Sequence, residues 1–271
     1  MTIVGLARNG FRQTITLKTV TYEQPLNERI RTFLRLESLF VRMEECLAGS
    51  TQWDSRHAMS SLIDILTIFS RSDLKSEILK EIERHTSNLA VLEANPKVDQ
   101  AILKDILYQL DLLNDRMHAI EGQIAQSLRH NEFLNSVRQR SSVPGGSCDF
   151  DLPAYHHWLQ KPVEERHALL KSWYDEFSSS VQSIRLVLQL LRDSAPPRRG
   201  VAEAGFFQSA LDTSIPYQLI RVILPVDAEY FAEISAGKHR YTIRFMQQLS
   251  YDERPVQTSE NIEFMLACCA L

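Results

Sequence analysis

The sequence predicts an α+β fold: a long helical domain followed by a small, mostly antiparallel β-sheet domain. Three observations lead there. Apolar residues recur every three or four positions across residues 25–192, the spacing of one helix face. Ala195, Pro196 and Pro197 stop that pattern, and beyond them the period shortens towards two, with branched residues enriched. No internal repeat or low-complexity tract interrupts either part. The expected layout is an N-terminal extension over 1–19, a helical domain over 20–195 and a β domain over 196–271. Residues 16–22 alternate and are a candidate further strand of the sheet.

Along the chain, Pro25 stands where a first helix would open, since its missing N–H is unneeded there. Leu26, Ile30, Phe33, Leu34 and Phe40 form the apolar stripe of that helix, with Arg31, Arg35, Ser38, Arg42 and Glu45 opposite. Residues 49–51 end it. A second helix is expected near 56–69, then a turn with Ser72 as cap. A third carries Leu74, Ile78, Ile82, Leu89 and Leu92 up to the break at Asn95 and Pro96. In the fourth, Ile106, Leu110, Leu113, Met117, Ile120 and Ile124 alternate by four and three. This near-heptad seam suits packing within one subunit, an antiparallel hairpin or a dimer interface. Pro144, Gly145 and Gly146 make a turn. A short helix through Trp158 follows, with Asp151 as its cap, and Pro162 opens a last long helix reaching Arg192. In the β part, strands are expected over 219–224, 238–246 and 261–267, with Phe206 and Phe207 in a fourth.

Composition excludes several classes. The 271 residues are 44% hydrophobic and 24% charged, with a formal net charge of -4, unlike a strongly basic nucleic-acid binder. Four cysteines, Cys46, Cys148, Cys268 and Cys269, are too few and too scattered for a disulfide scaffold and read as reduced thiols. No apolar run is long enough for a signal-peptide core or a membrane span, so a soluble protein that stays where it is made is expected.

Motifs for chemistry are sparse. There is no Walker loop, dinucleotide fingerprint, His-Glu-x-x-His pair or Gly-x-Ser-x-Gly elbow. His156, His157 and the cysteines do not have zinc-site spacing, so no metal and no cofactor are expected. His156 is then a partly buried polar residue beside Trp158. Glu164 and Glu165 read as first-turn acids of a helix. The most suggestive feature is a basic stripe: Lys238, Arg240 and Arg244 share one face of a strand, because side chains alternate. His239, Tyr241, Ile243 and Phe245 take the other face. No acidic residue interleaves with the stripe, and Arg198 and Arg199 add charge nearby. Such a face suits an acidic or carboxylate-bearing peptide. These observations favour an adaptor that grips another protein. Two rivals are a nucleic-acid-associated helical protein, which would need aromatic residues beside the charges, and a small-molecule enzyme, which would need a deep apolar pocket.

Three segments carry a resemblance. One runs from Tyr22-Glu23-Gln24-Pro25-Leu26 to Arg35-Leu36-Glu37. The next runs from Val137-Arg138-Gln139-Arg140 through Pro144-Gly145-Gly146-Ser147-Cys148 to Asp149-Phe150-Asp151-Leu152-Pro153. The third is Tyr241-Thr242-Ile243-Arg244-Phe245-Met246, with a terminal Phe264-Met265-Leu266-Ala267-Cys268-Cys269. In this order and spacing the chain resembles the bacterial cell-division family ZapD over about residues 20–269. The resemblance implies a cytoplasmic homodimer at midcell that binds the C-terminal tail of the division GTPase FtsZ and crosslinks its filaments. It implies tail contacts at Arg35, His156, Arg240 and Arg244, with a further basic position replaced here by Glu132. Lys238 and Arg31 are added by proximity.

Overall fold

The computed structural model describes residues 18–271 except Ser72 and Lys238. The chain divides into two compact units, one of Met1–Arg31 with Gln189–Leu271 and the other of Thr32–Leu188, so the division falls inside the first and last helices. The α+β class is as the sequence predicts.

The β unit opens with β1 (Thr19–Pro25), so residues 20–25 are strand rather than the start of the helical part. Pro25 closes this strand instead of opening a helix. A proline N–H is not needed on an edge strand, and β1 is an edge, paired only with β4 (Tyr217–Pro225). The sheet continues through β8 (Ile262–Ala270) to β2 (Arg198–Ala202). A second sheet has the order β3 (Phe206–Ala210), β6 (Arg240–Gln247), β5 (Phe231–Ala236), with the short β7 (Val256–Gln257) also on β6. Every pairing is antiparallel. The chain passes from the first sheet to the second through Ala204 and Gly205, both at positive φ, the conformation of a tight two-residue turn. Val222, Leu224, Ile262 and Phe264 from one sheet meet Ala232, Ile243 and Phe245 from the other in a shared buried core. The Phe245 and Phe264 rings lie 5.0 Å apart. The single small sheet of the sequence reading is thus a two-sheet sandwich.

The first helix, α1 (Glu28–Ala48), begins after Asn27, whose Oδ1 accepts from the Ile30 N–H at 2.8 Å. Its buried stripe is Ile30, Phe33, Leu36, Phe40 and Met43. In the helical unit, α2 (Gln52–Arg71) is followed by α3 (Leu74–Ala90). Its cap is Asp73, which accepts from the Ser76 N–H; Ser72 lies outside the described residues. α4 (Gln100–His118) packs on α3 and buries Leu103, Leu110, Leu113 and Met117. The seam is therefore consumed inside the subunit. Ile120 and Ile124 fall beyond the helix end, where Gly122 turns the chain at φ 69°.

Two short helices, α5 (Gln126–Arg129) and α6 (Glu132–Ser141), lead to α7 (Pro153–Leu159). Leu152, not Asp151, occupies the cap position of α7; Asp151 pairs with Arg140 at 3.7 Å instead. The expected last long helix is two: α8 (Val163–Asp175), carrying Glu164 and Glu165 in its first turn, and α9 (Ser178–Asp193). Among the described residues no helix is long and apolar enough to cross a membrane.

Candidate partner-binding face

The candidate site in the β unit is the outer face of the second sheet. Along β6 the side chains alternate as the sequence requires: Tyr241, Ile243 and Phe245 are buried, and Arg240 and Arg244 are exposed. Tyr241 shows how firmly the inner face is held. Its hydroxyl receives the Cys268 thiol at 3.7 Å, and burial pushes its ionisation well above the usual tyrosine range. Burial likewise raises the Cys268 thiol, while the Tyr241 hydrogen bond pulls it down. Cys269 is pushed up to about 11, chiefly by burial. Neither thiol is poised as a thiolate nucleophile.

Residues directly opposite across an antiparallel pair lie on the same face. On the β3 side, Arg244 faces Phe206, Thr242 faces Gln208 and Arg240 faces Ala210. On the β5 side, Arg244 faces Glu233 and Thr242 faces Ser235. The stripe does have an acidic neighbour, Glu233, which adjacent-position reading cannot see because it comes from another strand. It also has an aromatic one: Phe206 is 41% exposed beside Arg244. Glu233 does not neutralise the face. Among the described residues neither Arg240 nor Arg244 makes a salt bridge.

The remaining expected site residues are dispersed. Lys238 lies outside the described residues. Arg31 is half-buried and its Nε lies 3.1 Å from Glu28, so its charge is already met by an acid. Arg198 and Arg199 belong to β2 in the other sheet, opposite Leu266 and Met265, and do not extend the stripe. In the helical unit Arg35 is exposed on α1. His156 is exposed too, not partly buried, because Tyr155 and Trp158 take the inner face of α7 and turn it outwards. Tyr155 and Trp158 stack at 5.7 Å, and Phe133 lies edge-on to both rings. Glu132 is exposed in the first turn of α6. Among the described residues no group of three or more His, Cys, Asp or Glu side chains is gathered as a metal would need.

The family description for ZapD, a cell division protein, matches residues 34–244. The chain belongs to the ZapD family. It is similar to the cell division protein ZapD of Methylococcus capsulatus, 44% identical over 252 residues that make up 93% of this chain and 98% of that one. The corresponding protein of Coxiella burnetii is 39% identical, with 93% and 98% covered. That of Ralstonia nicotianae is also 39% identical, with 92% and 99% covered. This ZapD chain is thus a cell-division protein, and Arg240 and Arg244 on its open sheet face both lie within the span that the family description matches. Phe206 and Glu233 are the site neighbours that sequence reasoning missed. The available signal was the strand pairing of Phe206, which can be placed only once its register against β6 is known.

Proposed function

We propose that the chain is a non-enzymatic division factor that binds the C-terminal tail of FtsZ and, as a homodimer, crosslinks FtsZ filaments at midcell in the cytoplasm. The observation that carries this reading is the pair of unpaired arginines on one solvent-open sheet face of a ZapD chain. Two guanidinium groups four residues apart along a strand stand roughly 13 Å from each other at about 3.3 Å per residue. That spacing suits carboxylates on an extended peptide, and arginine offers a fixed fork of donors for each. Arg35 and His156 are proposed contacts of the helical unit on the strength of the resemblance. A flexible tail loses entropy on ordering, so one contact is weak. Two sites per dimer and many tails per filament convert weak contacts into a stable crosslink.

The test is fluorescence anisotropy with an FtsZ tail peptide, paired with sedimentation of FtsZ filaments. A charge-assisted contact of about 1.5–3 kcal/mol is replaced by repulsion in Arg240→Glu or Arg244→Glu, so tail affinity is expected to fall at least roughly tenfold and bundling with it. Folded variants that bundle filaments normally would remove the assignment. Light scattering should give twice the chain mass; a monomer at every concentration would remove the crosslinking mechanism.

Phe206 beside Arg244 is the one observation that favours the nucleic-acid rival, since an aromatic side chain on a basic face can stack a base. Titration with a single-stranded oligonucleotide separates the two readings. Peptide binding without oligonucleotide binding is expected.

A further inference from the structure

At the end of the sandwich beyond Arg240 lies a groove of about 410 Å³, walled by Leu26, Leu211, Ile215, Pro216, Tyr217 and Ala236. Leu26, Leu211 and Ala236 are only partly buried and pack on the shared core of the two sheets. The groove is therefore an open end of that core, its lining completed by Asp212, Thr213 and Gly237. Ile215 stands 40% exposed at its lip. A recess of mixed lining such as this one can take a large aliphatic or aromatic side chain against its apolar walls.

Backbone hydrogen bonds tie the groove to the basic stripe. Gly237, which also lines it, donates its N–H to the Arg240 carbonyl at 2.9 Å, and Leu211 donates to the His239 carbonyl at 2.9 Å. Arg240 faces Ala210, the residue before Leu211. The groove thus opens at the strand end next to Arg240 but on the core side of the sheet, since Ala236 faces the buried Tyr241, while Arg240 and Arg244 stand on the outer side. The acid at the lip, Asp212, is satisfied within its own turn: it accepts from the Ser214 N–H at 2.9 Å and hydroxyl at 2.7 Å, which holds its carboxyl below the usual range.

We infer that this groove seats an apolar side chain of the same acidic peptide whose carboxylates meet Arg240 and Arg244. The inference rests on the tail-binding reading above and adds a second determinant to it. The arginines supply charge and orientation. The groove supplies discrimination, because carboxylates alone are common on disordered segments. Since the groove lies outside the Arg240–Arg244 interval, the apolar residue must flank the acidic pair in the peptide and not fall between its members.

The experiment measures anisotropy of the labelled FtsZ tail peptide against the full chain, its Ile215→Asp and Arg240→Glu variants, and single-alanine variants of the peptide at every acidic and apolar position. Burying one large apolar side chain corresponds to about tenfold in affinity, so Ile215→Asp is expected to weaken the wild-type tail by about that factor. At 0.5 M salt the repulsive share of this loss is screened and the apolar share remains, so the loss should shrink less than that of Arg240→Glu. One peptide alanine variant, at an apolar position flanking the acids, should bind wild-type and Ile215→Asp proteins equally. The peptide arm needs no altered protein, so it stands even where a variant folds poorly. Tail binding that depends on Arg240 but is indifferent to Ile215 and to every apolar peptide position would overturn the groove and leave the stripe intact. No binding of the tail to the wild-type chain would overturn both.

Discussion

Two groups of arginines in the β unit make opposite use of the same side chain. Arg192 and Arg221 close on one carboxylate: Arg192 donates to both Glu23 oxygens at 2.9 Å, and Arg221 donates to Oε1 at 3.0 Å. The three side chains are only 17–23% exposed. Arg240 and Arg244, on the other sheet, are exposed and without a salt bridge among the described residues. The first group joins the end of α9 to β1 and β4 and is spent on folding. The second leaves its attraction available to another molecule. The helical unit carries the extreme case of the first kind. Arg166 is 4% exposed and donates to the carbonyls of Ser50, Thr51 and Lys161 and to the Ser55 hydroxyl, all neutral oxygens. Burial and satisfied hydrogen bonds mark a structural charge; exposure and an unmet charge mark a candidate recognition charge.

Removing a structural charge should therefore cost stability in proportion to the buried partners left behind. Arg166→Met is expected to have the largest effect, a loss of about 3–4 kcal/mol in urea unfolding, because the buried Ser55 hydroxyl and three partly buried carbonyl hydrogen bonds lose their donor together. An effect under about 1 kcal/mol would mean that those carbonyls find water and that the distinction by burial fails.

Glu23→Gln comes next. It leaves two partly buried guanidinium groups facing a neutral amide, and a loss of about 2–3 kcal/mol is expected from the shift in denaturation midpoint. Because the triad is not fully dry, a smaller loss at high salt would sharpen the comparison with Arg166, whose neutral partners make it insensitive to salt.

A third measurement uses a buried titratable group. His85 is fully buried, and its pKa is lowered to about 4, by burial first and by the neighbouring Arg84 second, with Glu81 at 3.7 Å opposing. The unfolded chain binds this proton near pH 6.5, the folded chain only near 4. Stability from this residue is therefore complete above about pH 6.5 and lost as the pH falls towards 4. A decline of order 2 kcal/mol across that window is expected, and His85→Gln should flatten it. An unchanged profile in the variant would assign the acid sensitivity to other groups.

The smallest stability effect belongs to the recognition charges. Arg240→Glu and Arg244→Glu are expected to unfold within about 0.5 kcal/mol of the parent chain while tail binding falls. Of the two, Arg244→Glu should be the less stable, since it sets two carboxylates opposite each other across β5 and β6. A large loss in Arg240→Glu would move that arginine into the structural class.

Local pattern made much of this legible. The apolar spacing of α1, α3 and α4 and the alternation along β6 come from neighbours within a few residues. What failed were boundaries and partners. Pro25 suits either a helix start or an edge strand, and pairing of β1 with β4, some two hundred positions away, chose the strand. The turn between α8 and α9 carries neither Pro nor Gly, so nothing local announced it. Asp151 had the residue type of a cap, but Arg140 held it instead.

The sequence by itself determined that Arg240 and Arg244 share a face with Tyr241, Ile243 and Phe245 turned away, because strand geometry sends alternate side chains to opposite sides whatever surrounds them. It also determined the α+β order of elements. Only the tertiary structure decided that Phe206 and Glu233 flank Arg244, that the α4 seam is buried in its own subunit, and that a groove opens past Arg240. These depend on which strands and helices meet and in what register. That choice is made by burial of the whole core, and no window along the chain contains it.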